Sequence, residues 1–241
     1  PETCRRMRYF YLGLIKDHKD RSLCDEVLRD EVLPSDTTKG NHPNLVFLEK
    51  TPRNSLNIDF LLTVFPSSKF IFLHRDAREN ISSIIEGWEL GAKSGRFVTF
   101  RDLPDWPLDY WCFLLPPGWQ KFKDATLAEL AAFQWQSCNE IIIDALLTLS
   151  TEQWITVSYA ELISSPATAL QQLCAFCGVR PGNYLRQLEA GKLPLSATTV
   201  SPPQKDKWKR HANELAVILP GLQSTIKSIA RLAEKSAAFM H

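Results

Sequence analysis

Two short apolar runs, Asn44-Leu-Val-Phe-Leu-Glu-Lys50 and Lys69-Phe-Ile-Phe-Leu-His74, are each followed by a brief turn and a helical pattern. A strand, short loop and helix used twice in succession constrains the fold more than any other feature. It is the signature of parallel strands joined by helices. Both runs are apolar almost throughout, as expected of strands covered on both faces. After the first, Thr51-Pro52-Arg53-Asn54 turns the chain, and a helix is expected over 55–65. Proline suits a first helical turn because its φ is fixed and its missing donor is not needed there. After the second, Arg75-Asp76-Ala77 is the turn and 78–88 the helix. A third run, Trp154-Ile-Thr-Val-Ser-Tyr159, reads as another strand. The expected class is α/β, a parallel sheet flanked by helices.

The remaining segments fit around that unit. Residues 5–31 read as helix and 34–43 as a polar loop. Residues 125–149 read as a long amphipathic helix, and 160–178 include a helix starting after Pro166. Residues 193–209 are an irregular basic loop and 212–239 a terminal helical region. The stretch 91–124 breaks the rhythm. It holds Trp106, Tyr110, Trp111, Phe113 and Trp119 among four prolines. Long connections of this kind commonly carry function, so a ligand pocket is weighed against simple core cover. With 241 residues, 44% of them hydrophobic, one domain with an elaborated insert at about 94–124 is expected.

A formal net charge of +1 gives no general attraction to nucleic acid or acidic membrane. Any anion site must be local. No apolar run approaches the ~18 residues of a membrane span. Six cysteines are scattered, and their one close pair, Cys174 and Cys177, lies in a helical pattern ending at Gly178. Core packing is the favoured reading of that pair, since neither a redox turn nor further zinc ligands accompany it. Scattered thiols and missing export signals suggest a cytoplasmic, reducing setting. The opening Pro-Glu-Thr-Cys-Arg-Arg is no signal peptide, and the chain is expected to begin in mid-domain.

Four constellations could carry chemistry. Glu49-Lys50-Thr51-Pro52 ends the first strand, where ligands of open α/β sheets bind. A lysine there can meet negative charge growing on a leaving oxygen. His74-Arg75-Asp76 ends the second strand, with Ser83 eight residues beyond Arg75. A guanidinium and a hydroxyl suit a terminal phosphate, while the plainer reading pairs Arg75 with Asp76 or Glu79. Tyr159, in Val157-Ser-Tyr-Ala-Glu-Leu162, could face a nucleobase or simply fill the core. Lys205, Lys207, Lys209 and Arg210 surround Trp208. They could close over a phosphate or form a solvated charge run.

Taken together and in order, these motifs resemble the bacterial-type PAPS-dependent sulfotransferase family. The matching pieces are Glu49-Lys50-Thr51-Pro52, the Phe-Pro-x-x-Lys-Phe turn and strand at 65–70, and His74-Arg75-Asp76 with Ser83. They are followed by Val157-x-Tyr159-x-x-Leu162 and Trp208 in a basic loop. The resemblance covers about residues 44–210. It implies a P-loop-like α/β fold, PAPS as donor with PAP as product, no metal, and a small-molecule or carbohydrate hydroxyl (or amine) as acceptor. It assigns Arg75 and Ser83 to the donor's 3′-phosphate, Lys50 to the transferred sulfuryl group, and Tyr159 to the adenine. Lys205 and Lys207 fall in the closing loop, about 193–211, that also meets the 3′-phosphate.

Two departures accompany the resemblance. The family opens with a strand and a Gly/Ser/Thr-rich loop that cradles the 5′-phosphosulfate on backbone N–H groups. This sequence shows no such segment, so the loop is expected upstream of Pro1, and the chain alone is expected to bind PAP weakly and be inactive. Cytosolic relatives also place a histidine base two residues after the lysine, where this sequence has Pro52. Glu49, His42 and His18 are left as candidate bases. The competing readings are a P-loop kinase, which needs G-x-x-x-x-G-K-S/T, and a nucleotide-binding module without catalysis.

Overall fold

The structure, a computed structural model, describes residues 48–179 and 206–239. Among these, 48–51 and 57–68 belong to one compact unit, and 52–56, 69–179 and 206–239 to a second. Of the first expected strand, only 48–50 fall within the described residues, and they are irregular and exposed. The helix expected over 5–31 lies outside them. In the first unit α1 (Ile58–Val64) is one short helix, burying Ile58 and Val64. The helix expected over 55–65 is thus divided. Pro52–Leu56 forms a separate 3-10 turn, and Asn57 precedes α1 without a side-chain cap.

In the second unit β1 (Phe70–His74) pairs in parallel with β4 (Trp154–Ser158), register Phe70 to Trp154 and His74 to Ser158. Between them run α2 (Ala77–Ser94), the antiparallel strands β2 (Val98–Arg101) and β3 (Tyr110–Cys112), and α3 (Leu127–Thr148). After β4 come α4 (Tyr159–Ser164) and α5 (Pro166–Cys177). Past residues 180–205 follow α6 (Ala212–Ile218) and α7 (Gln223–Ala238). The parallel pair and its covering helices are the α/β arrangement expected, with the second expected run paired to the third and not to the first.

Local sequence fixes the helix ends. Asp76 caps α2, its carboxylate accepting from the N–H groups of Arg78 and Glu79. This supplies partners for donors a helix start leaves unpaired. The helix runs past the expected stop at Trp88 to Gly95, whose φ of 72° suits a residue without Cβ. Thr126 and Glu129 form a reciprocal capping box for α3, and Ser158 and Glu161 another for α4. Tyr159 therefore opens a helix instead of ending a strand, because Ser158 turns the backbone there.

One apolar core joins Phe72, Ile81, Trp135 and Trp154 to Leu215, Leu222 and Ile229 from the terminal helices. A second gathers Trp88, Trp111, Cys112 and Leu130, with Trp106 and Trp119 packed on them. The stretch read as a long loop is thus mostly a compact module. Its rings meet edge to face, Trp106 to Trp111 at 4.7 Å between centroids and Trp88 to Trp111 at 5.3 Å. Gln134 of α3 ties the module down. It accepts from Trp88 Nε1 at 2.8 Å and donates to the carbonyls of Cys112 and Leu114 at 2.9 and 2.7 Å. A Cβ on Gly87 would overlap the Phe113 ring, so only glycine lets α2 approach so closely.

Candidate active site

The site is built at the carboxyl ends of β1 and β4, the end where open α/β sheets bind ligands. The register that sets His74 beside Ser158 also carries the following residues, Arg75 and Tyr159, into contact. The Arg75 guanidinium lies over the Tyr159 ring, 4.7 Å from its centroid. Its Nε donates to Glu79 Oε2 at 2.9 Å, with both side chains about one-third exposed. A partly desolvated cation on an aromatic face is held in a fixed plane. Only Nε is used by Glu79, so the outward N–H groups remain available to an anion.

Glu79 links Arg75 to Ser83. Ser83 Oγ donates to the Glu79 carbonyl at 2.9 Å, one helical turn away. Glu79 and Ser83 share one face at the start of α2, and Arg75, just before the helix cap, reaches that face through its bond to Glu79. To donate to a bound phosphate, the Ser83 hydroxyl must leave that carbonyl, whose amide bond within the helix is unaffected. The salt bridge of the plainer reading, Arg75 with Glu79, exists and coexists with the Tyr159 contact.

A cavity of about 440 Å³ opens against this turn. His74, Arg75, Asp76 and Arg78 line one side; Trp135, Leu219, Ile226 and Ile229 line another. Its size is that of a small-molecule pocket with apolar walls and a few polar groups. Burial lowers the His74 pKa, with the Glu161 carboxylate acting in the opposite sense. Burial thus favours the uncharged imidazole. Burial works against the Asp76 carboxylate, yet hydrogen bonds from Arg78 and from the backbone of Glu79 outweigh it and hold its pKa below the ordinary value. Arg78 grips Asp76 with two bonds of 3.0 and 2.8 Å, and its guanidinium lies over Trp208 at 4.7 Å.

The other expected site residues are placed as follows. Glu49 and Lys50 belong to the first unit and are exposed, in irregular chain. Lys207 Nζ pairs with Glu86 Oε2 at 2.6 Å. Lys205, His18 and His42 lie outside the described residues. Sequence reasoning did not single out Asp76, Arg78, Glu86, Trp208 or His211 for the contacts they make. Asp76 was legible as a helix cap, and Ser158-x-x-Glu161 as a capping box. Glu86 and Lys207 are 121 residues apart in sequence, and no local pattern announces such a pair. Among the described residues no group of three or more His, Cys, Asp or Glu could hold a metal ion, and no helix is long and apolar enough to cross a membrane.

A model of the sulfotransferase family matches residues 5–181. No curated protein matches the chain. Among solved structures, a sulfotransferase domain from the curacin biosynthetic pathway is similar, with 20% identity over 70% of this chain and a TM-score of 0.41. The chain spans 61% of that domain's length.

Proposed function

The chain belongs to the sulfotransferase family, and from that premise we propose that it moves a sulfuryl group from PAPS to a hydroxyl acceptor, releasing PAP. The observation that carries this reading is the Arg75–Tyr159 contact at the carboxyl ends of two parallel strands, with Ser83 linked to Arg75 through Glu79. A fork of donors, a hydroxyl and an aromatic face are what a nucleotide 3′-phosphate and its base require. Arg75 and Ser83 anchor the phosphate, Tyr159 lies beside the adenine, and Lys205 approaches from the basic loop.

In the proposed step the acceptor oxygen attacks sulfur in line. The new O–S bond forms as the bond from sulfur to the bridging oxygen of PAP breaks, and the electron pair remains on PAP. Lys50 stabilises that charge, and Glu49 accepts the acceptor's proton. Binding energy at Arg75 fixes the donor's orientation far from the reacting centre. In the full protein, Lys50→Ala should lower kcat, and Arg75→Ala should raise the donor's KM. The acceptor is a small molecule or sugar with a free hydroxyl.

The test is isothermal titration of PAP, ATP and ADP into wild type and Arg75→Ala. Selective PAP binding that disappears with Arg75 supports the reading. No preference for PAP over ATP and ADP in the full protein sinks it.

A further inference from the structure

A stripe runs along α2 one residue around from Glu79 and Ser83, and it holds the segment 206–211. At position 78, Arg78 lies over the Trp208 ring. At 82, Ser82 Oγ is 2.9 Å from His211 Nδ1, with both side chains buried. At 86, Glu86 meets two cations: Lys207 Nζ at 2.6 Å from Oε2, and Arg210, which forms an ion pair with Oε1. Positions 78, 82 and 86 recur every fourth residue, as do 79 and 83. Adjacent faces of one helix thus carry Glu79 and Ser83, which Arg75 joins from just before the cap, and a set of ties to a distant segment.

The ties are unusual in their burial. Glu86 is 8% exposed, where a carboxylate is costly unless paired. Two cations pair with it, and both come from the same short turn, Lys207–His211. That turn starts at Asp206, whose φ of 63° is left-handed although it is not glycine. Such a conformation persists only where its surroundings enforce it. Lys207 donates to a nearly buried carboxylate, whereas the Arg75–Glu79 pair is about one-third exposed on both sides, so the Lys207 ammonium is held farther from solvent than the Arg75 fork.

We propose that Glu86 is a positioning residue that clasps 206–211 onto α2, with Lys207 an arm of the clasp and not a ligand of the donor's phosphate. By holding α2 from this side, the clasp keeps Arg75, Glu79 and Ser83 in line for the anion. The effect on the donor rests on the function proposed above; the clasp itself does not.

The asymmetry of exposure makes the idea testable. In Glu86→Gln, Lys207 and Arg210, at 24% and 45% exposure, can swing their charges into water, so the protein stays folded. In Lys207→Met/Arg210→Met, a buried carboxylate loses both partners. Hydrogen exchange and PAP titration on the full protein read both consequences. Glu86→Gln should lose amide protection across 206–211 and weaken PAP about tenfold, within the range misplacement costs. Lys207→Met should weaken PAP no more than Glu86→Gln does. The double methionine variant should be less stable than Glu86→Gln, and adding Glu86→Gln to it should restore stability.

Unchanged protection in Glu86→Gln would overturn the clasp. So would Lys207→Met losing PAP far more than Glu86→Gln with protection intact, since Lys207 would then be a phosphate ligand. If the wild type shows no PAP preference while Glu86→Gln still loses protection, the clasp is supported and the donor reading alone fails.

Discussion

The turn after β1 and the aromatic module between α2 and α3 both drew attention for residue types that bind ligands. They use those residues in opposite ways. In the module, Trp111 and Cys112 have no exposed surface, the indole N–H groups of Trp88 and Trp111 are bonded, and the rings face one another. In the turn, Arg75 is partly exposed and spends one donor on Glu79, while His74 and Arg78 border open volume. The first region has exhausted its contacts on itself, which is what a core does. The second keeps polar capacity in reserve beside a cavity, which is what a site needs. Aromatic richness in the sequence therefore becomes a closed, self-contacting module, whereas the Arg at a strand end borders open volume.

Mutations should separate the regions. The largest effect is expected at Trp111. Its truncation to alanine empties a fully buried volume and should cost about 3–5 kcal/mol, read by urea denaturation. PAP affinity of the folded fraction should not change. Loss of PAP binding at unchanged stability would show that the module serves the donor and would erase the contrast. Arg75→Ala should do the reverse. A hydrogen-bonded charge contributes about 1.5–3 kcal/mol, so PAP affinity should fall about 10- to 100-fold. Stability should move by only about 0.5 kcal/mol, as for partly exposed positions.

Gly87→Ala tests how tightly the module is held. The added methyl meets the Phe113 ring, and overpacking of this kind costs about 1–3 kcal/mol. Thermal denaturation should show the loss. An unchanged transition would mean that Phe113 moves freely, and that the module is less closed than its contacts indicate.

Much of this contrast was legible in the sequence, but unevenly. The parallel strands were visible because runs such as Phe70–His74 are apolar on both faces, and each is followed at once by a helix. The eight-residue spacing of Arg75 and Ser83 was legible, and the structure links the two through Glu79. The β2–β3 hairpin was missed because Phe97 and Phe113 enter and leave it with left-handed backbones, a conformation no residue-type signal predicts for phenylalanine. Charge alone left Lys207 between a phosphate lid and a solvated run, the family resemblance set it in the closing loop, and its partner Glu86 looked like one more polar residue on a helix. Only tertiary packing buries Glu86 and draws Lys207 to it.

The smallest effects concern how pH tells the two titrating groups of the turn apart. Asp76 has its pKa lowered from 3.8 and His74 from 6.5. In both cases the folded state holds its proton less tightly than the unfolded chain, so stability falls as pH falls through the interval between the two values. The causes differ. Asp76 gains as an anion through Arg78 and the helix start, whereas His74 is penalised as a cation by burial. For His74 the loss begins as pH drops below about 6.5, and for Asp76 only below about 3.8. Asp76→Asn keeps a capping oxygen but removes the charge that Arg78 grips. Its cost at pH 7 should be small, about 0.5 kcal/mol, because the Asp76–Arg78 pair is exposed and screened. The variant should flatten the stability curve below pH 3.8 and leave the earlier decline intact. Denaturant titrations at several pH values between 7 and 3 read both windows. A variant that also lost the decline beginning near pH 6.5 would mean that His74 titrates through Asp76 and not through burial, and the two halves of the turn would then be one coupled unit.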